Sequence, residues 1–446
     1  MQLLRRTLTP FALLAASGFL VSCVSDDDAG IVAAPPGTSE TSMLGRAAAL
    51  GLDTFVELAE RSTFAGVLGD TNPITVFAPD EAAFAALAPG ELDALRDPQN
   101  IAALDAIIGR SIVPGELSAA VIESFGNLAT VGGDLLQVDV FNSVIHIDGA
   151  AMVSSDLTPD NGILHTVDRV LEVPLEPMAE LRDEGFGIFA DLVELTGLDS
   201  ELNLNAITVL APTDAAFMAL PPGELAALMD VANAADTSKR LRTHWLGGLL
   251  PISRLVEDGS RLNAEGALLI VGWDGASSPT VNGADLSSFN VPTTRGLIHR
   301  LEQVIDTPLT LDEALGDPSL QTLETLLFAS SLQPVFEMAP AITVFAPNND
   351  AFSNLAPGVF DSLVQPMNLE ILRTLLRSHV GANALAFPSL AGGDVIMTLE
   401  GTEIVVSDPG TGALRLDDTA DFVATDVYLT NGVLHVINAV LAADGL

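Results

Sequence analysis

The stretch Thr75-Val76-Phe77-Ala78-Pro79 decides the fold, because it occurs three times along the chain. It returns as Thr208-Val209-Leu210-Ala211-Pro212 and as Thr343-Val344-Phe345-Ala346-Pro347. Successive copies are 133 and 135 residues apart. A solenoid repeat has about 20–50 residues, so this longer period marks whole domains and predicts three of them in tandem, as beads on a string.

A second block keeps the same period. Its copies are Asn161-Gly162-Ile163-Leu164-His165, Arg295-Gly296-Leu297-Ile298-His299 and Asn431-Gly432-Val433-Leu434-His435. Both blocks are rich in β-branched and aliphatic residues, which is typical of short buried strands. Each closing histidine therefore lies on an apolar strand. We expect its imidazole to hydrogen-bond within its own domain rather than to catalyse a reaction or bind a metal.

The residues that follow the first block predict a helix in every repeat. The residue after the proline is Asp80, Thr213 or Asn348, and each of these can cap a helix with its side-chain oxygen. A phenylalanine comes four residues later and is predicted to face the core: Phe84, Phe217 and Phe352. The second half of each repeat alternates apolar and polar residues, as at 136–140, which indicates strands. Helices followed by antiparallel strands predict an α+β domain.

The two blocks resemble the two signature motifs of the fasciclin domain family, and the resemblance covers residues 41 to 444. It implies three tandem fasciclin-like domains, each a compact β-sandwich wedge of about seven strands with packed helices. The expected domains are residues 41–174, 175–308 and 309–446. Because members of this family act in adhesion and matrix contact, the resemblance also implies a secreted or membrane-anchored interaction protein.

Two further family positions can be placed in this chain. The family's mid-domain Tyr-His pair corresponds to Arg110-Ser111, Thr243-His244 and Ser378-His379, so the tyrosine is missing throughout and the first repeat also lacks the histidine. An Asp-Ile pair that some animal relatives use for receptor contact corresponds to Asp156-Leu157, Asn290-Val291 and Asp426-Val427. These six are candidate interaction residues. The alternative is that the Asp or Asn accepts backbone hydrogen bonds in its loop.

The N-terminus is typical of an exported lipoprotein. Arg5 and Arg6 precede an uncharged stretch at 11–21, which is too short to span a bilayer. Leu20-Val21-Ser22-Cys23 resembles the bacterial lipobox, and Cys23 is the single cysteine of the chain. We expect a signal peptide at 1–22, a lipidated flexible linker at 23–40 and a lipid bilayer bound through Cys23. The expected location is the bacterial outer membrane or cell surface, with the periplasm as the alternative.

Charge and motifs narrow the function. The chain has 18 Lys and Arg against 59 Asp and Glu, a net charge of −41, which repels phosphate backbones and argues against nucleic-acid binding. It has no His-Glu-x-x-His pattern, phosphate-binding glycine loop or Gly-x-Ser-x-Gly elbow, so no catalytic residue, metal or cofactor is predicted. The expected function is non-enzymatic adhesion to a protein or glycan partner at the surface or matrix. The alternative is a binding module for a small hydrophobic or carbohydrate ligand in the middle repeat, which holds both tryptophans, Trp245 and Trp273.

Overall fold

The computed structural model describes residues 41–273, 275, 277–410 and 413–441. Within these residues each repeat builds one seven-stranded sheet with helices packed against it, which confirms the predicted α+β class and the three domains of seven strands. The predicted signal peptide, Cys23 and the linker at 23–40 lie outside the described residues. Among the helices of the described ranges, none is long and apolar enough to cross a membrane.

The first domain contains the following elements. Its strands are β1 Ile74–Pro79, β2 Ile112–Pro114, β3 Asn127–Ala129, β4 Leu135–Phe141, β5 Val144–Ile147, β6 Ala150–Leu157 and β7 Gly162–Val167. Its helices are α1 Met43–Ala49, α2 Asp53–Arg61, α3 Ala65–Leu68, α4 Glu81–Ala85, α5 Glu91–Arg96, α6 Ile101–Arg110 and α7 Ala119–Ile122, with a 3-10 turn at Pro98–Asn100.

The second domain repeats this order. Its strands are β8 Ile207–Pro212, β9 Trp245–Gly247, β10 Ser260–Leu262, β11 Leu268–Gly272, β12 Thr280–Val281, β13 Ala284–Pro292 and β14 Leu297–Leu301. Its helices are α8 Pro177–Asp183, α9 Gly187–Leu195, α10 Asp199–Leu204, α11 Asp214–Met218, α12 Glu224–Leu228, α13 Ala234–Thr243 and α14 Ile252–Asp258, with a 3-10 turn at Val231–Asn233.

The third domain does so again. Its strands are β15 Ile342–Pro347, β16 Val380–Gly381, β17 Val395–Met397, β18 Glu403–Ser407, β19 Arg415–Leu416, β20 Ala420–Leu429 and β21 Gly432–Ile437. Its helices are α15 Leu311–Leu315, α16 Gln321–Ser330, α17 Gln333–Glu337, α18 Asn349–Ser353, α19 Val359–Leu363 and α20 Leu369–Ser378, with 3-10 turns at Pro318–Leu320, Pro366–Asn368 and Phe387–Ser389.

The two repeated sequence blocks pair with each other one strand in from an edge of each sheet. In the first domain the strand order is β2-β1-β7-β6-β5-β4-β3, and β1 runs parallel to β7 with Phe77 opposite His165. The parallel pairs β8–β14 and β15–β21 take the same place in the other domains. The sequence predicted antiparallel strands; the other five pairings of this sheet are antiparallel, and this parallel pair is the exception. Alternation of side chains cannot reveal pairing between segments about 90 residues apart.

The glycine of the second block is required by this pairing. A Cβ atom on Gly162 would lie 1.8 Å from the carbonyl oxygen of Ile74, the first residue of β1. Gly296 and Gly432 face the same obstacle, with a Cβ at 1.9 Å from Ile207 O and Ile342 O. No side chain can be accommodated at such distances, so the closing strand reaches its partner because this residue is glycine.

The first strand of each domain is buried on both faces. In the first domain Val76 and Ala78 pack into a core formed with the helices, whereas Phe77 points into a second core shared with β4, β5 and β7. Successive residues of a strand point to opposite faces, so one short strand serves both cores. This explains why the block is apolar throughout rather than alternating.

The predicted helix starts are confirmed. The side chains of Asp80, Thr213 and Asn348 accept hydrogen bonds from the backbone N–H three residues on, at 2.8, 3.1 and 2.8 Å. The three phenylalanines predicted to face the core are buried: Phe84, Phe217 and Phe352. Each Pro-Gly step places glycine in the left-handed region before the next helix, as at Gly90 with φ 92°.

The described chain divides into two compact units. The first domain forms one, and the second and third domains together form the other, from Glu176 onward. The expectation of separate beads is therefore wrong for the second and third domains, because those two pack against each other.

Candidate functional site

Three repeated polar side chains hold one loop in every domain, and we call this arrangement the loop clamp. In the first domain it consists of Thr75, Asp156 and His165 around the loop at 115–119. The corresponding residues are Thr208, Asn290 and His299 in the second domain and Thr343, Asp426 and His435 in the third. The two signature blocks thus act together at a single loop.

In the first domain the threonine and the histidine bind the two polar groups of Leu117. The Thr75 hydroxyl accepts from the Leu117 N–H at 2.8 Å and donates to Gly115 O at 2.7 Å. Nδ1 of His165 accepts from the Asp156 N–H at 3.3 Å, so the ring proton sits on Nε2, which donates to Leu117 O at 2.9 Å. Burial lowers the pKa of His165, which keeps the imidazole neutral in this role.

The other two closing histidines make the same bonds. Nε2 lies 2.8 Å from Leu250 O in His299 and 2.9 Å from Leu385 O in His435. Nδ1 accepts from the backbone N–H of Asn290 at 3.3 Å and of Asp426 at 3.1 Å. Both ring nitrogens of each closing histidine therefore bond to backbone groups of its own domain.

The Asp or Asn of the clamp has a backbone role as well as a side-chain role. Asp156, Asn290 and Asp426 have φ of 58°, 62° and 60°, a left-handed conformation that these two residue types tolerate. Their Oδ1 atoms accept from the N–H of Ala119, Ile252 and Phe387 at 2.9, 2.9 and 2.7 Å. This is the loop hydrogen bond that the sequence offered as the alternative to receptor contact.

The six candidate interaction residues differ in accessibility. Asn290 and Val291 are 1% and 4% exposed, so the middle pair offers no surface to a partner. Asp156 is exposed and Asp426 is half-buried, while Leu157 and Val427 pack partly against the helical cores of their domains. The structure therefore restricts the predicted interaction site to the two outer pairs, where it stays a prediction.

A second repeated position lies at the end of a long helix, where helices α13 and α20 are followed by His244 and His379. Nδ1 of each ring donates to the carbonyl four residues earlier, at 3.0 Å for Arg240 O and 2.7 Å for Leu375 O. Nε2 accepts from the N–H of Ile305 at 3.0 Å and of Leu441 at 2.9 Å. Each imidazole thus ties its helix to the segment after the closing strand. Burial lowers the pKa of both histidines to about 4.

The first domain instead has a buried ion pair at the residue before this position. Arg110 and Asp148 are 2% and 8% exposed, and the guanidinium contacts the Asp148 carboxylate directly. Asp134 adds a second carboxylate at 3.6 Å, and the Gln137 N–H donates to Asp148 at 2.7 Å. Burial raises the pKa of Asp148, although the charge of Arg110 opposes that shift. Ser111, which replaces the histidine, donates to Ile107 O at 3.0 Å.

The second and third domains pack through one face of β11. Leu268 and Ile270 are 6% and 2% exposed and form a core with Ala386 of the third domain, against which Tyr428 packs. The Leu268 N–H donates to Thr430 O at 2.8 Å, which adds a backbone bond between the domains. Burial raises the pKa of Tyr428. The sequence holds a signal for this contact. The four residues from Leu268 to Val271 are all apolar, and an unbroken apolar run indicates a strand that is buried on both faces.

The two tryptophans of the middle domain have different surroundings. Trp245 is fully buried on β9 as part of the core of its domain. The cavity next to His244 has a volume of about 10 Å³, room for one water molecule at most. Trp273 donates its indole N–H to Ser277 O at 2.9 Å. A larger groove, of about 670 Å³, lies instead on the helical side of the third domain.

Comparison with known proteins identifies the family. The family model described as "Fasciclin domain" matches residues 50–174, 184–308 and 318–443, and the chain belongs to this family. No cluster of His, Cys, Asp and Glu that could hold a metal ion occurs in the described ranges.

Relatives come from bacteria and animals. Protein sll1483 of Synechocystis sp. is 29% identical over 171 residues, which are 38% of this chain and 93% of that protein. The transforming growth factor-beta-induced protein ig-h3 of Sus scrofa is 25% identical over 268 residues, 57% of this chain but 36% of that protein, so the chain spans about a third of it. A solved FAS1 domain pair from the insect cell adhesion molecule Fasciclin I covers 60% of this chain and 98% of its own, with 17% identity and a TM-score of 0.31.

Proposed function

We propose that this chain is a non-enzymatic adhesion or interaction lipoprotein of the bacterial cell envelope. Its three fasciclin domains would present binding surfaces to a protein or glycan outside the cell, while Cys23 holds the array at a bilayer. Fasciclin domains occur in cell adhesion proteins, and the sequence before Cys23 resembles an export signal with a lipidation site. Tandem domains strengthen weak contacts by raising the effective concentration of the second and third contact.

The loop clamp is the observation that carries the non-enzymatic part of this proposal. The polar residues that recur in all three domains bond to backbone groups of their own domain, and the five histidines of the clamps and helix ends use both ring nitrogens. A general base or a metal ligand needs a free nitrogen directed at a substrate or ion. The recurring chemistry of the chain is therefore consistent with a scaffold.

The alternative, a small-ligand site in the middle domain, has less support. It rested on Trp245 and Trp273, and Trp245 is a core residue. Unchanged tryptophan fluorescence across panels of lipids and glycans is the expected result, whereas a saturable change would favour the alternative.

Adhesion is tested with the whole array. Beads coated with the chain from residue 24 onward should bind cells or matrix more than beads coated with an inert acidic protein of similar charge. Cleavage of all three domains by protease added to intact cells would support a surface location, and a Cys23→Ala variant should instead be released from the membrane fraction. Equal binding by the acidic control, or full protection of the array until the envelope is broken, would contradict surface adhesion.

A further inference from the structure

The outward face of one helix differs sharply between the domains. Helices α2, α9 and α16 are equivalent, because each makes the same contact. A backbone N–H in its first turn donates to the side chain of the first residue of helix α4, α11 or α18. The bonds are Thr54 to Glu81 at 2.7 Å, Ile188 to Asp214 at 2.8 Å and Thr322 to Asn349 at 2.9 Å. Counting from these residues places Glu57, Asp191 and Thr325 at one position, and Glu60, Glu194 and Phe328 at another.

In the first two domains this face carries paired charges. Glu57 bonds to Arg61 at 3.1 Å and to Arg96 of α5 at 2.8 Å. Arg182 of α8 bonds to Asp191 at 3.0 Å and to Glu194 at 2.9 Å. Exposed ion pairs of this kind add little stability, but they keep the helix surface polar and hydrated.

In the third domain the charged residues are replaced by uncharged ones. Thr325 stands at the position of Glu57, Phe328 at that of Glu60, and Val364 follows the buried Leu363 as Arg96 follows Leu95. The Phe328 side chain is 81% exposed and Val364 is 45% exposed. A large aromatic side chain in water is costly to keep exposed, and the described residues of this domain leave Phe328 largely uncovered.

These side chains line one concave surface. The apolar residues are Leu326, Phe328, Phe360 and Val364, and the groove that they share has a volume of about 670 Å³. Phe360 is fixed from below by an edge-to-face contact with Phe352, with ring centroids 6.3 Å apart. The charged side chains that line it are both carboxylates, Asp312 and Glu324. The groove therefore combines apolar side chains with two carboxylates and no basic side chain among its lining residues.

We propose that this groove binds a basic amphipathic segment of a partner protein. Apolar side chains of the segment would cover Phe328, Phe360 and Val364, while lysines or arginines would face Asp312 and Glu324. The net charge of −41 would attract such a partner from a distance and would repel anionic lipids and glycans. The inference rests on the proposed function in taking the partner to be a protein, and it assigns the docking site to the third domain.

A model peptide tests the groove with the intact chain. The probe is a fluorescein-labelled leucine–lysine peptide of about 18 residues with helical periodicity, compared with a leucine–glutamate peptide of the same pattern. Fluorescence anisotropy at about 0.15 M salt should show saturable binding of the lysine peptide and no binding of the glutamate peptide. Phe328→Glu, which installs the residue type of the first two domains, should weaken binding about 10-fold or more.

The controls separate the groove from the general acidity of the chain. Val423→Glu adds the same charge at an exposed position on β20 and should leave binding unchanged. Val364→Arg, the residue type found at position 96, should weaken binding as Phe328→Glu does, and circular dichroism should show all three variants to be folded. Equal binding by wild type and Phe328→Glu would overturn the proposal, because binding would then be purely electrostatic. Phe328-dependent sedimentation with phosphatidylcholine vesicles would also overturn it, in favour of a membrane contact.

The two proposals fail separately. Coated beads that adhere to cells equally well with wild type and with Phe328→Glu would overturn the groove as the docking site and leave adhesion standing. Loss of lysine-peptide binding in Phe328→Glu, together with wild-type beads that adhere to nothing, would support the groove and contradict surface adhesion.

Discussion

In the first domain helix α6 ends at an arginine, Arg110, whereas in the second and third domains the corresponding helices are followed by a histidine. Arg110 reaches across to the buried carboxylate of Asp148. His244 and His379 bond only to backbone, and the residues aligned with Arg110 are Thr243 and Ser378, whose hydroxyls bond within their own helices. The end of this helix is therefore tied to the rest of its domain by a charge pair in the first domain and by a neutral ring in the other two.

This difference shows which parts of the repeat are fixed and which are exchangeable. The loop clamp is built the same way in all three domains, with Asn290 standing in for aspartate without loss of any bond. The helix end tolerates two solutions, a guanidinium paired with a buried carboxylate or an imidazole bonded to two backbone groups. The two solutions respond differently to mutation and to pH, which makes the comparison testable.

The largest effect is expected when the charge pair is broken. Arg110→Ala leaves the Asp148 carboxylate buried without a counter-charge and should lower the stability of the first domain by about 3–5 kcal/mol. Thr243→Ala at the aligned position removes one hydroxyl bond and should cost about 1 kcal/mol. Hydrogen exchange of peptides from 41–174, followed by mass spectrometry, measures the first domain separately from the others.

A double variant sharpens the same test. Arg110→Leu with Asp148→Asn removes both charges and gives position 148 the residue type of Asn282 in the second domain. It should recover most of the stability lost in Arg110→Ala, since the unpaired buried charge is gone. If Arg110→Ala lowers the stability no more than Thr243→Ala does, the ion pair is not what holds the end of helix α6 in place.

The next largest effect is expected from acid, at the histidine that follows helix α13. Burial lowers the pKa of His244 to about 4 from the ordinary value of 6.5, so between these pH values the unfolded chain binds a proton that the folded chain does not. Stability is therefore full above pH 6.5 and falls as the pH drops towards 4, by about 3 kcal/mol for this group. Urea unfolding followed by the fluorescence of Trp245, which directly follows His244, should show this loss.

His244→Gln isolates the contribution of this histidine. The variant should be less stable than wild type at pH 7, because the amide nitrogen and oxygen of glutamine cannot both take the places of the two ring nitrogens. Its stability should change less between pH 6.5 and 4.5. The other histidines are the same in both proteins, so their effects cancel in the comparison. An unchanged pH dependence would mean that His244 is protonated in the folded protein or does not titrate in this range.

Much of the fold could be predicted from local residues. The period of the two blocks gave the number of domains, and the caps at Asp80, Thr213 and Asn348 gave the helix starts, because these signals depend on neighbours in sequence. The recurrence of His165 and its counterparts marked them as structural. The pairing of Arg110 with Asp148 could not be foreseen, since 38 residues separate them and neither charge has a local partner in the sequence.

The association of the second and third domains could be predicted only in part from the sequence. Outward positions on β4, β11 and β18 are aligned through their antiparallel partners, so Gln137, Ile270 and Val405 correspond. Gln137 is polar and Val405 is 43% exposed, whereas Ile270 is buried against the third domain. The apolar run around Ile270 was visible in the sequence, but the surface that covers it belongs to residues more than 70 positions further along the chain.

The smallest expected effect comes from making β11 resemble its counterpart in the first domain. Ile270→Gln places a polar side chain in the core shared with Ala386 and should destabilise the second and third domains by about 2 kcal/mol. Val405→Gln, the same change at the exposed position, should stay within about 0.5 kcal/mol. In the wild type we expect the two domains to unfold in one transition. In Ile270→Gln this transition should split, so that tryptophan fluorescence, which reports the second domain, and hydrogen exchange in peptides from 309–441 give different midpoints. Coincident midpoints in that variant would mean that contacts other than this face hold the two domains together.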